Sequence, residues 1–117
     1  MKILPALLLI LCVSCSDNKN RQLIIGHWTG TEWLIDGKPS GRDVAATSFS
    51  FDDKENYVFD YAGQKESGTY KVENDMLFTK PEGQREIMVK IGKLTKDSLV
   101  FDMNRSGESE RLTLLRR

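Results

Sequence analysis

Apolar and polar residues alternate with a period of two along most of the chain from Leu23 onward, and no helical repeat is sustained there. Because successive side chains of a β-strand point to opposite faces of a sheet, this alternation predicts half-buried strands. Turn-forming residues, chiefly glycine, proline, asparagine and aspartate, interrupt the alternation at short intervals. The pattern therefore predicts one all-β domain over residues 23–117, with about eight antiparallel strands.

The same pattern predicts the bounds of several elements. A first strand is expected from about Gly26 to Ile35. The segment from Ser40 to Thr47 is expected to form a flap near one end of the sheet, with one helical turn over residues 42–46. The longest strand is expected to begin near Ile87, and the alternation slips at Gly92, which predicts a β-bulge there.

A run of hairpins leaves unpaired backbone groups at its two edges unless the sheet closes on itself or on a partner. We therefore expect an antiparallel sandwich or a closed barrel of about eight strands. The interior of such a barrel is just wide enough to be filled by side chains or to hold one small ligand. Both alternatives remain open from the sequence.

The chain begins with the layout of a secretory signal peptide over residues 1–14. A positive residue, Lys2, precedes a compact apolar stretch, which ends in small residues before Cys15. The stretch is too short for a transmembrane helix, which needs about 20 apolar residues. The polar residues that follow predict a flexible tether over residues 15–22.

The segment Leu11–Cys15 resembles the lipobox of bacterial lipoproteins, although cysteine occupies position 12, where leucine is usual. The resemblance implies cleavage after Ser14 and fatty acyl chains such as palmitate on Cys15, and two such chains make a stable membrane anchor. Ser16 resembles a signal for the outer membrane of Gram-negative bacteria, so the implied location is the cell envelope. The alternative is an ordinary cleaved signal with a stray cysteine.

Charge and cysteine content argue against several classes of function. Lysine plus arginine equals aspartate plus glutamate, 17 against 17, so no net field attracts nucleic acid. Both cysteines, Cys12 and Cys15, lie in the leader, so no disulfide framework supports the domain. His27 is the only histidine, and the acidic segment 52–56 lacks the spacing of a calcium loop. We therefore expect no catalytic residues, no metal site and no cofactor, and we do not expect an enzyme.

Gly26 and Trp28 form a Gly-x-Trp motif at the start of the first strand, and this motif resembles the signature of the lipocalins. The resemblance implies a small eight-stranded antiparallel up-and-down barrel with Trp28 at its closed end. It also implies that an arginine from the last strand lies across the indole ring, with Arg116 as the expected residue and Arg111 as the alternative. A guanidinium over an indole contributes about 0.5 to 2 kcal/mol. The class that the chain resembles is that of short bacterial lipocalin-like lipoproteins.

Aromatic residues dominate the positions expected to face the interior, where they either fill the barrel or line a small apolar pocket near the flap. In the second case Glu32 is a polar anchor for a ligand or pairs with a basic side chain such as Arg111, because an inward carboxylate needs a partner. A bulge at Gly30 would instead turn Glu32 to water and Trp33 inward. The candidate ligand-binding residues are Glu32, Phe51, Tyr57, Phe59, Tyr70 and Phe101.

Two functions from different classes fit these observations. The first is a membrane-anchored lipoprotein that binds a small apolar or amphipathic molecule at the cell envelope. The second is a filled barrel that acts through its loops, as an inhibitor, an immunity-type protein or a subunit of an envelope complex. A co-purified lipid would favour the first, and a protein partner retained by an empty barrel would favour the second.

Overall fold

The computed structural model describes residues 19–117. The expected signal peptide, residues 1–14, and the expected lipidation site, Cys15, lie outside the described residues. The described part consists mainly of strands joined by tight turns. Its strands are β1 (Gly26–Ile35), β2 (Lys38–Pro39), β3 (Thr47–Phe51), β4 (Asn56–Tyr61), β5 (Gln64–Glu73), β6 (Met76–Pro81), β7 (Ile87–Leu94), β8 (Ser98–Arg105) and β9 (Glu108–Arg116).

Eight of these strands close into one antiparallel barrel. They neighbour one another in the order β1-β3-β4-β5-β6-β7-β8-β9, and β9 pairs with β1 to complete the ring. The remaining strand, β2, has two residues and pairs with the end of β1. The expected eight-stranded barrel is therefore confirmed. Closure satisfies the edge groups that an open sheet of these strands would expose.

Two-residue turns with glycine in second place join several strands. Ala62 and Gly63 join β4 to β5 with φ angles of 53° and 88°. Ser106 and Gly107 join β8 to β9 with φ angles of 53° and 83°. Positive φ at both central residues defines the type I′ turn, whose twist matches that of the flanking strands, and glycine adopts it without steric cost. The position of the glycine thus fixes where each hairpin turns.

Two bulges decide which side chains face the interior. The register of β1 against β9 shifts between Gly30 and Glu32, so Glu32 is exposed while Trp33 is buried. The alternative in which Glu32 points inward is therefore wrong, and the alternative with a bulge at Gly30 is confirmed. The second shift lies between Ile91 and Lys93, on either side of the glycine that predicted it.

The predicted flap is present, with a 3₁₀ turn at Val44–Ala46. The prediction of the longest strand is wrong: β7 begins at Ile87 as expected but has 8 residues, whereas β1 and β5 have 10 each. Strand β5 continues through Gly68. A Cβ there would lie 2.0 Å from the carbonyl oxygen of Lys80, so glycine is what lets β5 and β6 stay paired.

Residues 19–23 form a helical turn at one end of the barrel. The Asn20 side chain donates to the carbonyl oxygen of Asn74 at 2.8 Å, and Arg21 donates to that of Val72 at 3.2 Å. The expected flexible tether therefore does not extend over this turn, because its side chains have partners on β5 and the following hairpin. The helical segments of the described residues are too short to cross a membrane.

Candidate ligand-binding site

Trp28 closes one end of the barrel. Its side chain is fully buried, and the guanidinium carbon of Arg116 lies 4.2 Å from the centroid of its ring. The indole N–H donates to the carbonyl oxygen of Ile24 at 2.9 Å. Arg116 also donates to the carbonyl oxygens of Leu23 and Ile25, the latter at 2.7 Å. The expected pair of Trp28 and Arg116 is present, and it holds the segment before β1 against the barrel.

The alternative arginine, Arg111, has a different role. It follows a buried residue on β9 and therefore lies on the outer face, where its Nε donates to the Asp102 carboxylate at 2.9 Å. The side chain of Arg111 is 59% exposed, so the ion pair lies in water and contributes little to stability. Arg116 alone of the two reaches the indole of Trp28.

Aromatic rings fill the half of the barrel next to Trp28. The ring centroid of Phe49 lies 4.7 Å from that of Phe59 and 5.4 Å from that of Phe101. Phe51 packs on Tyr70 at 4.9 Å in an edge-to-face arrangement. Such distances are typical of packed aromatic pairs. The filled interior that the sequence left open is therefore present in this half.

The other end of the barrel opens into a cavity of about 600 Å³. This volume lies within the range of about 300 to 1,000 Å³ that is typical of small-molecule sites. The wall of the cavity combines apolar rings with cations and carboxylates. Its aromatic and charged residues are Trp33, Phe59, Tyr61, Arg42, Lys65, Arg105, Glu66 and Glu82.

The lining of this cavity differs from the one expected from the sequence. Phe59 is the expected ligand-binding residue that borders the cavity. The structure places Phe51, Tyr70 and Phe101 in the packed half, and Glu32 on the outer face. Tyr57 is buried and does not line the cavity, but its hydroxyl donates a hydrogen bond to a carboxylate that does.

That carboxylate belongs to Glu66. The hydroxyl of Tyr57 donates to Oε2 of Glu66 at 2.8 Å. Burial, together with the hydrogen bond and negative charge of Glu66, raises the pKa of Tyr57 well above its usual value. Tyr57 therefore stays a neutral donor at physiological pH. The Oε2 atom of Glu66 is occupied by Tyr57, whereas its other oxygen is left for a group that enters the cavity.

A second carboxylate, Glu110, lies behind the wall of the cavity and is 4% exposed. Its Oε1 accepts a hydrogen bond from the indole N–H of Trp33 at 3.1 Å, and its Oε2 lies 3.2 Å from Nε of Arg105. Both oxygens of this buried group are thus paired, as a buried charge requires. Because Arg105 is paired with Glu110, it is less available to a ligand than Arg42 and Lys65, the other cations of the cavity.

Sequence reasoning missed both carboxylates. Glu66 lies two residues before Gly68 and four before Tyr70, and Glu110 lies two before Leu112, so the period of two places each on the inward face. That parity was the available signal. Parity alone does not show that an inward carboxylate is stable, because the partners that stabilise these two come from other strands.

Arg42 reaches the cavity from the flap. Its guanidinium carbon lies 4.8 Å from the centroid of the Trp33 ring. The flap is held in place by the backbone N–H of Asp43, which donates to the hydroxyl of Tyr61 at 3.2 Å. It also approaches β1 closely at Gly30, where a Cβ would lie 2.6 Å from a backbone oxygen of the flap. The glycine in β1 thus allows the flap to carry Arg42 over the cavity.

Within residues 19–117 no three histidine, cysteine, aspartate or glutamate side chains are grouped as metal ligands. His27 is exposed, and its Nδ1 forms a hydrogen bond with the hydroxyl of Ser50 at 2.7 Å. His27 lies near the end that Trp28 closes, so it takes no part in the cavity.

Comparison with known structures finds the same architecture in two proteins from Bacteroides. A lipocalin-like protein from Bacteroides uniformis superposes with a TM-score of 0.61 at 11% identity, covering 80% of this chain and 98% of its own. An uncharacterized protein from Bacteroides eggerthii superposes with a TM-score of 0.60 at 14% identity, covering 80% of this chain and 99% of its own. At such identities the likeness establishes the fold. No curated protein matches the chain.

The family comparison agrees with the structural one. The family described as the lipocalin-like domain matches residues 24–101, which include the Gly-x-Trp motif and the strands from β1 into β8. The match covers more than half of the chain, and the barrel closes as the motif implied. The protein therefore belongs to the lipocalin-like domain family.

Proposed function

We propose that this protein binds a small amphipathic molecule in the cavity opposite Trp28 and that it does so without catalysis. The observation that carries the proposal is the division of the barrel into two halves. One half is packed with aromatic rings, and the other opens into about 600 Å³ lined by aromatic and charged groups. A concave site with a few convergent polar groups is the usual form of a small-molecule site.

We also propose that acyl chains on Cys15 anchor the protein to the outer membrane of a Gram-negative cell. The lipobox-like segment supports the anchor. The helical turn that follows packs at the end closed by Trp28, through Asn20 and through the Arg116 contacts to Leu23. The described chain thus enters the barrel at its closed end, opposite the cavity.

Two tryptophans at opposite ends of the barrel provide a direct test of binding. Trp33 borders the cavity, whereas Trp28 is buried at the closed end. A molecule bound in the cavity should quench the fluorescence of Trp33. Quenching should persist in Trp28→Phe and disappear in Trp33→Phe, and the reverse result would place binding elsewhere.

Identification of a natural occupant uses the chain from Lys19 to Arg117, which contains the complete ring of strands. The protein is purified from cells and extracted with organic solvent, and the extract is compared with that of a denatured control by mass spectrometry. We expect a small molecule in molar proportion to the protein. An empty extract, together with no quenching of Trp33 by any amphiphile, would refute the proposal.

The second candidate is a barrel that acts through its surface as an inhibitor, an immunity-type protein or a subunit of an envelope complex. Met88 is 61% exposed on the outer face of β7, and its cross-strand neighbour on that face is Phe78 of β6. Apolar side chains at the surface are a feature of protein contacts when they form a patch. A Met88→Ser variant that loses a partner in pull-down experiments, while Trp33 still fails to report any ligand, would favour this candidate.

A further inference from the structure

We propose that the cavity selects a compact aromatic acid, whose anionic group pairs with Arg42 and Lys65 at the rim while a hydroxyl at its other end donates to Glu66. This inference rests on the proposed binding function and specifies its ligand. It follows from three properties of the cavity: its depth, the polarity of its floor and the charges at its rim.

Depth limits the length of the ligand. Below Phe59 the interior is occupied by rings that pack at centroid distances of 4.7 to 5.7 Å. Protein interiors packed in this way have no continuous space for a further chain. A long, extended acyl chain therefore has no room beneath the cavity, whereas a fused pair of aromatic rings fits within about 600 Å³.

The floor of the cavity favours a donor. Glu66 uses Oε2 to accept the Tyr57 hydroxyl, and its Oε1 has no hydrogen bond within the described residues. The hydroxyl of Tyr57 has a single proton and gives it to Oε2, so it supplies no donor for Oε1. An apolar tip against Glu66 would desolvate the carboxylate without compensation. A ligand with a hydroxyl at its inner end instead completes the hydrogen bonds of Glu66.

The rim favours an anion. Arg42 lies on the face of Trp33 and has no acidic partner within residues 19–117, and Lys65 likewise has no ion pair there. Arg105 is already paired with Glu110, and Glu82 is the exposed carboxylate of the same rim. The rim thus presents two unpaired cations against one carboxylate. Hydrogen bonds between such cations and an anionic group are stronger than neutral ones.

Aromatic walls select a planar ligand between these two ends. Trp33 and Tyr61 stand edge to face with centroids 6.3 Å apart, and Phe59 continues the same surface towards the floor. Stacked or edge-to-face contacts between rings are favourable beyond the burial of area. A flat ring system gains these contacts with little loss of rotamer freedom, which a flexible alkyl chain would lose on binding.

The test uses a hydroxynaphthoate whose hydroxyl and carboxylate lie on opposite rings. Two comparison probes change one feature each, the naphthoate without hydroxyl and the neutral hydroxynaphthamide. A third probe, hexadecanoate, keeps the carboxylate but replaces the hydroxylated rings with a long alkyl chain. The protein from Lys19 to Arg117 is first shown to fold by a cooperative urea transition, and binding is then measured by quenching of Trp33 and by calorimetry. We expect the hydroxynaphthoate to bind about tenfold more tightly than the amide or the probe without hydroxyl.

Variants separate recognition from structure. Arg42→Gln should weaken the acid about tenfold but leave the amide nearly unchanged, and Arg117→Gln, which removes the same charge at the closed end, should change neither. Glu66→Gln keeps an acceptor for Tyr57 and should reduce the advantage of the hydroxyl, measured as a ratio of affinities. If Glu66 were only structural, Glu66→Gln would weaken the binding of both probes equally and leave that ratio unchanged.

The outcomes distinguish this inference from the proposed function. Tighter binding of hexadecanoate than of the hydroxynaphthoate, or equal binding of the acid and the amide, would overturn this inference. The proposed ligand-binding function would still stand. Failure of every probe, together with an empty extract from the cell-derived protein, would overturn both. The comparison of acid with amide needs no variant, so a folding defect in Glu66→Gln or Arg42→Gln does not leave the inference untested.

Discussion

Replacement of Trp28 should destabilise the barrel more than replacement of any exposed residue. The side chain is 0% exposed, its N–H donates to Ile24, and Arg116 covers its ring. Truncation of a buried tryptophan to alanine costs about 3 to 5 kcal/mol because the lost contacts leave a cavity. A domain of this size has a total stability of about 5 to 15 kcal/mol. Trp28→Ala should therefore be marginally stable.

Trp28→Phe provides a graded version of the same experiment. Phenylalanine keeps an aromatic ring under Arg116 but cannot donate to the carbonyl oxygen of Ile24, which lies in a buried segment. An unsatisfied buried acceptor costs about 1 to 3 kcal/mol. Trp28→Phe should thus fall between the native protein and Trp28→Ala in the free energy of unfolding.

The assay is urea unfolding of the chain from Lys19 to Arg117, followed by far-UV circular dichroism. Leu115→Ala is the matched control, because Leu115 lies on the same end of the ring but is 45% exposed, and it should change stability by less than about 0.5 kcal/mol. Midpoints of Trp28→Ala and Leu115→Ala that coincide would refute the reasoning, since the indole would then contribute nothing as a plug.

Three further predictions concern the anchor, the flap and the core. Cys15→Ser should move the full-length protein from the membrane to the soluble fraction on ultracentrifugation, and persistence in the membrane would remove the lipoprotein proposal. Gly30→Ala should displace the flap, because the new Cβ would lie 2.6 Å from the Val44 carbonyl oxygen. The variant should lose about 1 to 3 kcal/mol of unfolding free energy and show weaker quenching of Trp33 by a bound molecule. An unchanged melting temperature would contradict this prediction. Burial raises the pKa of Tyr70 to about 12, above the value of about 10 expected in the unfolded chain. The contribution of Tyr70 to the free energy of unfolding is therefore complete below pH 10 and is lost as the pH rises towards 12. Alkaline unfolding followed by fluorescence should show this loss, and Tyr70→Phe, which cannot ionise, should lose less stability over the same interval.

Local pattern was enough for the framework of the barrel. Alternation gave the bounds of β1, and the glycine at position 92 gave the bulge in β7, because both depend only on neighbouring residues. The Gly-x-Trp motif implied the closed end, and Arg116 lies on Trp28 as the resemblance required. The strand bounds and the bulge follow from a period of two and a turn residue within a few positions of the chain, whereas the contact of Arg116 with Trp28 was implied by the family resemblance.

The candidate site was less accessible, because its polar groups are paired across strands far apart in sequence. Glu66 depends on Tyr57 from the neighbouring strand, and Glu110 depends on Trp33, 77 positions away. The direction of Glu32 depended on where the bulge in β1 lies, which the register against β9 decides. A single position of slip exchanges the two faces of a strand, so sequence alone left that alternative open.

The sequence by itself determined an all-β chain of short antiparallel strands, because periodicity and turn chemistry are local properties, and its Gly-x-Trp motif was enough for the resemblance that implied a ring plugged by Trp28. Only the tertiary structure decided that half of the interior is filled and half is open, and that two carboxylates and Arg42 converge on the open half. The physical reason is that packing and charge compensation depend on which strands become neighbours around the ring.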